Sequence, residues 1–243
     1  MHLDNPAQTL RQFLLAVCKA DPNKSLRSAL CLALNLENEN VTESVLWEKT
    51  AKIMTLTYKI EDILNDYFPD EDITAPNWQK NVTEFFSQIN INNPVHHYSN
   101  VIKTETFNEL GLLALLFKTK GEIGKLANED IDDIQQQLSE LKQSVIESNL
   151  SQELRKDILH YLNNIIRSLE DYSITGIEPV ISSIEATLGH ACISQPFQEV
   201  VKNTEIGAKL KGVLKKSLSA VSSVEGVVSL GANAITLIEH FSK

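Results

Sequence analysis

The chain has 243 residues, enough for one large core or two smaller lobes, and its ordinary apolar and charged fractions argue against wholesale disorder. A formal net charge of -10 disfavours DNA or RNA as the main partner, because non-specific affinity for nucleic acid comes from Lys and Arg neutralising phosphates. Only nine glycines and seven prolines are present, too few for many tight hairpin turns, so the expected fold class is all-α.

At the N-terminus, Leu10, Phe13, Leu14 and Val17 stand at helical spacing over 8–19, and Pro22 ends that helix. Asp4 occupies a position where a signal peptide needs positive charge, and Lys19 and Asp21 interrupt the apolar run. A cytoplasmic location is therefore expected. Ser25 is an N-cap for a helix over 26–36, and Thr42 or Ser44 caps a longer one that runs to about Tyr67. Its core positions are Leu46, Ile53, Leu56, Ile60, Ile63 and Leu64.

Between Pro69 and Pro94 the chain is punctuated, with one short amphipathic helix at "WQKNVTEFFSQI" that carries Val82, Phe85, Phe86 and Ile89. The run Leu110–Phe117 is too short to cross a bilayer and reads as a buried core helix. "KTKGEIGK" lacks the Walker spacing and reads as a helix-to-helix junction.

The clearest periodicity lies between Glu129 and Tyr172. Ile131, Ile134, Leu138, Leu141 and Val145 are followed, after "SNLSQ", by Leu154, Ile158, Tyr161, Ile165 and Leu169. So short a linker gives an antiparallel hairpin, with Ser151 capping its second helix and Asp130, Asp132 and Asp133 near the start of its first. Gly176 suits positive φ, Pro179 a first helical turn, and Gly189 the C′ position that ends the next helix. The architecture expected is a helical bundle built on this hairpin, about 127–172, flanked by an N-terminal helical cluster and closed by a small-residue C-terminal helix. The cluster (1–120) and the hairpin with its C-terminal helices (121–243) form two domains or one continuous one.

That C-terminal helix, 206–241, aligns Leu210, Leu214, Val221, Val224, Val228, Ile235 and Ile238 on one stripe behind Lys209, Lys211, Lys215 and Lys216. The nine Leu, Ile and Val residues of 217–238 give roughly -3 to -5 kcal/mol for insertion, against roughly +2.5 to +3.5 for Glu225 alone. Its serines add to that cost, so spanning is disfavoured. An interfacial helix, with the four lysines at an anionic membrane surface, stays open beside docking on the protein's own core or on a partner. Gly212, Gly226 and Gly231 favour close helix packing. The candidate interaction or membrane-surface residues are Lys209, Lys211, Lys215, Lys216, Val221, Val228 and Ile235.

Chemistry is scarce. His96 and His97 lack further ligands at ordered spacing, so no metal is expected, and no cofactor motif is present. His190 and Cys192 point to different faces of one helix, and Cys18, Cys31 and Cys192 read as small buried hydrophobes. No catalytic residue is assigned.

Residues 145–190, "VIESNLSQELRKDILHYLNNIIRSLEDYSITGIEPVISSIEATLGH", resemble a group of bacterial all-helical proteins of uncharacterised function. The parallels are an acidic first helix, "SNLSQELRKDIL" opening the second, "LEDYSITGIEPV" at its end and a closing glycine; "NPAQTLRQFLLAV" and "SLRSALCLALNL" fit as well. The group is associated with mobile-element and phage-defence regions. The resemblance implies an accessory role there and no catalytic position. The function expected is a non-enzymatic interaction or regulatory protein that binds a protein partner or its own copies through helical faces. The alternatives are a membrane-active effector using 206–241 and an enzyme with a scattered active site.

Overall fold

The computed structural model describes residues 4–37, 40–70, 75–98, 100–121 and 124–224. Among these the fold is all-α: α1 (Pro6–Lys19), α2 (Leu26–Ala33), α3 (Glu43–Tyr67), α4 (Pro76–Ser87), α5 (Thr104–Lys118), α6 (Asn128–Ile146), α7 (Gln152–Glu170), α8 (Tyr172–Thr175), α9 (Glu178–Ile193), α10 (Gln195–Asn203) and α11 (Glu205–Ser223). The chain divides into two compact units, Asn5–Lys120 and Gly121–Lys243 with Met1–Asp4.

In the N-terminal unit α1 is the hub, packing on α2, α3 and α5. It can do so because Leu10, Phe13, Leu14 and Val17, spaced three, one and three apart, bury one broad face. Asn5 starts α1 by accepting from Gln8 N at 3.0 Å and is itself anchored by donating to Ala114 O at 2.9 Å. Ser25 and Thr42 cap α2 and α3 as their sequence positions predict, accepting from Ser28 N and Val45 N. α2 ends at Ala33 rather than Leu36. Asn35 takes φ 54, and the bonds Leu36 N→Cys31 O and Asn35 N→Leu32 O close a Schellman turn, for which Asn substitutes for glycine.

α4 receives its cap from another helix. The Glu109 carboxylate of α5 accepts from Asn77 N, Asn77 Nδ2 and Trp78 N at 3.0, 2.7 and 2.7 Å, placing a negative charge at the positive end of α4's dipole. Beneath it the buried Asn81 and Thr106 side chains satisfy each other at 2.8 Å. The run Leu110–Phe117 is buried on one face only. Leu110, Leu113, Ala114 and Phe117 are core, whereas Leu112 and Leu115 are 67% and 62% exposed, since a helix on the edge of a unit has one face to bury.

The C-terminal unit is built on the α6–α7 hairpin, against which α9 and α11 pack from α7 and α6 respectively, with α10 bridging α9 and α11. Its seam is Ile134, Leu138, Leu141 and Val145 against Ile158, Leu162, Ile165 and Leu169, all nearly or fully buried. Each such side chain contributes about 1.5–3 kcal/mol relative to exposure. Leu162 takes the seam position that the expected stripe gave to Tyr161; both spacings fit a 3.6-residue period, and packing chose the fully apolar residue. Ser151 caps α7, accepting from Leu154 N at 3.3 Å.

Gly176 has φ 82, and a Cβ there would collide with the Asp4 carboxylate. That carboxylate accepts from Ile177 N at 3.1 Å and so holds the start of α9. Gly189 does not end α9: the helix runs through it to Ile193, because glycine is tolerated inside a helix at a cost of about 1 kcal/mol. The break comes at Ser194, extended at ψ 104, where Pro196 starts α10. A second break follows at Thr204. The C-terminal helix expected over 206–241 starts as expected, at Glu205, but α11 ends at Ser223 with Val224 extended, and the predicted Val228 and Ile235 lie outside the described residues.

Candidate interaction surfaces

The sequence-predicted residues of α11 separate into two faces. Leu210, Leu214, Val221 and Val224 are buried in the unit's own core, Val221 at 2% exposure, so an interaction through Val221 requires α11 to leave the bundle. Close packing there is carried by Gly207, not Gly212. A Cβ on Gly207 would strike the carbonyl oxygens of Val200 and Val201 in α10, while a Cβ on Gly212 meets nothing within 4 Å among the described residues.

The lysines lie on the outer side. Lys209 pairs with Glu205 one turn earlier at 3.1 Å, Lys216 pairs with Asp133 of α6, Lys211 is half-buried and Lys215 is exposed. Asp133 thus serves as a tie between helices as well as a residue of the acidic first stretch of α6. No described helix is long and apolar enough to cross a membrane.

The histidines have structural partners. His96 stands in a 3-10 turn, Val95–His97, and both its backbone N–H and its ring Nδ1 face Pro22 O at 3.1 Å. With Val95 N→Lys24 O, Leu26 N→Asn93 O and Arg27 N→Ile91 O, it straps the loop before α2 to the loop after α4. His190 is stacked on Tyr161 at 4.7 Å and meets the edge of Phe197 at 5.1 Å. Its Nε2 is 3.5 Å from Asp157 Oδ2 and makes no hydrogen bond among the described residues. Cys192 is exposed, which corrects its reading as a buried hydrophobe: α9 extends past Gly189 and turns this position outward.

Burial raises the thiol pKa of Cys18 and that of Cys31, the latter against a lowering by Arg27. Both are poor nucleophiles at neutral pH. Tyr172 is pushed up by burial; the Leu126 N–H donating to its hydroxyl at 2.8 Å opposes the rise and Asp4 adds to it. Among the described residues no three His, Cys, Asp or Glu side chains are grouped to hold a metal ion.

The surface that the sequence-based reading missed belongs to α3. While Leu46, Thr50, Ile53, Leu56 and Ile60 fill the core, Trp47, Met54 and Tyr58 stand out on the opposite side at 40%, 42% and 68% exposure, with exposed Ala51 between them. The spacing 47, 51, 54, 58 is four, three, four, the repeat of a helix–helix seam. A second exposed pair, Leu112 and Leu115, edges a groove of about 460 Å³ between α1 and α5 into which Arg11 and Lys118 also project. Arg11 is engaged there, donating from Nε to Phe107 O at 2.9 Å.

The chain matches no protein-family model, and no curated protein or solved structure matches it.

Proposed function

We propose that this is a non-enzymatic interaction protein that docks a helical partner on the outer face of α3. The observation that carries the reading is the exposed seam Trp47–Ala51–Met54–Tyr58 on a 25-residue helix whose other face is locked in the core. Trp, Tyr and Met are the residues that interfaces concentrate, the aromatics because they bring large rigid area and Met because it adapts to the shape opposite it. A rigid helix presents them at fixed spacing, so little ordering entropy is lost on docking.

The reading is tested by crosslinking in the source cells through the lysines of α3, Lys49, Lys52 and Lys59, which flank its other side within reach of a crosslinker. Crosslinks that disappear in a Met54→Glu/Tyr58→Glu variant melting like the wild type support it. Crosslinks that persist unchanged, or that never involve α3, overturn it.

A further inference from the structure

The groove between α1 and α5 holds an arginine in a way that folding alone does not require. Arg11 reaches across from α1 and lies on α5 at Gly111, where an added Cβ would stand 3.3 Å from its Nε and 3.8 Å from its Cζ. A glycine inside a helix costs about 1 kcal/mol relative to alanine, and at this position it makes room for the guanidinium. Nε donates to Phe107 O at 2.9 Å, which fixes the group and leaves its two Nη nitrogens for another acceptor. Among the described residues neither Nη has one.

The surroundings suit an anion joined to an apolar body. The chain carries 32 acidic residues against 22 basic ones, yet no carboxylate lines this groove, whose charged residues are Arg11 and Lys118. Glu109, also on α5, is committed to the cap of α4. The amides of Gln8 and Asn108 add hydrogen-bonding capacity, and the exposed Leu112 and Leu115 form an apolar edge. Those leucines gain transfer free energy only when something covers them, at about 25 cal/mol per Å². From Asn108 to Lys118 the lining runs about 15 Å along α5 at 1.5 Å per residue. Its volume of about 460 Å³ falls within the roughly 300–1,000 Å³ of small-ligand sites, which are likewise apolar with a few orienting polar groups.

We propose that the α1–α5 groove binds a small carboxylate with an aliphatic chain, its head group on the Nη pair of Arg11 and its chain along Gly111, Leu112 and Leu115. The parallel N–H bonds of a guanidinium match the two oxygens of a carboxylate, and one fixed cation neutralises one negative charge. Arg11 is half-buried, so the ion pair alone is worth little, and the chain alone has nothing to orient it. Both halves are needed together. The site is separate from the α3 face and stands or falls without it.

The test is isothermal titration calorimetry of the full chain with octanoate, 1-octanol, acetate and octyl phosphate, each as the free monomer. Arg11→Gln and Leu115→Gln are titrated beside the wild type, and each is checked by thermal melting. Octanoate should bind at one site per chain, with acetate and 1-octanol weaker by about tenfold or more, since each supplies half of the contact. Arg11→Gln should weaken octanoate by about tenfold and Leu115→Gln by a smaller factor. If Arg11→Gln melts early through loss of the Phe107 bond, Arg11→Lys replaces it; it keeps the charge, loses the fork and should still bind more weakly. Absence of saturable octanoate binding overturns the inference. So does uptake of several equivalents that both variants share, which would mark an adventitious additive only. Acetate or 1-octanol binding as tightly as octanoate would overturn it by making one half of the ligand superfluous. Tighter binding of octyl phosphate overturns the carboxylate head group, and a wild type that ignores octanoate but floats with anionic vesicles overturns the small ligand in favour of a lipid surface.

Discussion

α3 and α11 solve the same packing problem and differ in what they leave outside. Each buries one apolar stripe, Leu46, Ile53, Leu56 and Ile60 in the first and Leu210, Leu214, Leu218 and Val221 in the second, and each begins with a threonine cap, Thr42 or Thr204. The outer face of α3 projects Trp47, Met54 and Tyr58; that of α11 is low and carries lysines. Inner faces are dictated by the fold, because any exposed leucine there loses its transfer free energy. Outer faces are under no such demand, so a patterned outer face points to something beyond folding.

The largest effects should follow that division. Leu56→Ala and Leu214→Ala, which leave cavities in fully packed sites, should each cost about 2–5 kcal/mol in a urea or thermal melt. Tyr58→Ala and Lys215→Ala should cost under about 0.5 kcal/mol each. Comparable losses at inner and outer positions would mean that the outer faces are also structural, and the comparison would fail.

Tyr172 gives a titration handle on the C-terminal unit alone. Its folded-state pKa is raised by burial above the ordinary value near 10. A raised pKa means that the folded state holds the phenol proton more tightly than the unfolded one. The stabilisation is thus complete below about pH 10 and is lost as pH climbs through the folded value. Tyr172→Phe should melt lower at neutral pH by about 1 kcal/mol, through the lost acceptor for Leu126 N–H. The gap should narrow in a melting series carried above pH 10. A gap that widens there would reverse the sign of the linkage.

How far these features were legible in the sequence depends on which force decided each one. Caps were readable because they are local: Ser25, Thr42 and Ser151 each accept from the backbone N–H three residues on. The hairpin was readable because a 3–4 repeat sustained across two helices fits little besides a buried helical seam. The course of α9 through Gly189 was not, since glycine lowers helix propensity without forbidding helix, whereas the breaks that do occur carry local signals, Pro196 just after Ser194 and the capping side chain of Thr204. Leu112 and Leu115 read as core because hydropathy alone does not say which face finds a partner. For the same reason the outer seam of α3 was hidden: two apolar stripes on one helix look like a single broad one until burial separates them. The Glu109 cap on α4, made across 32 residues, left no local signal at all.

The two threonine caps offer a finer contrast. Thr204 accepts from Gly207 N at 3.0 Å and donates to Val200 O at 2.8 Å, holding the sharp turn between α10 and α11. Thr42 lies in an exposed, polar stretch and accepts from Val45 N at 3.4 Å. Thr204→Ala should cost about 1–2 kcal/mol and Thr42→Ala about 0.5–1 in equilibrium unfolding. The order reverses if the turn before α11 is held by Gly207 packing alone.

Gly189 and Gly212 supply the smallest and most discriminating effect. Both sit inside helices, and among the described residues a Cβ at either position meets nothing within 4 Å, so Gly→Ala should stabilise the C-terminal unit by up to about 1 kcal/mol in each case, read as a rise in melting temperature. For stability alone the two substitutions are equivalent. They differ in what surrounds them: Gly212 lies between Lys209 and Lys215 on the low face of α11, whereas Gly189 has no lysine on its helix. Equal rises in melting temperature are expected, because a helix interior favours Ala over Gly wherever no neighbour crowds the added methyl. A fall at Gly212 alone would mean that a neighbour crowds that face of α11, and the contrast with Gly189 would place this neighbour on the side that carries Lys209 and Lys215.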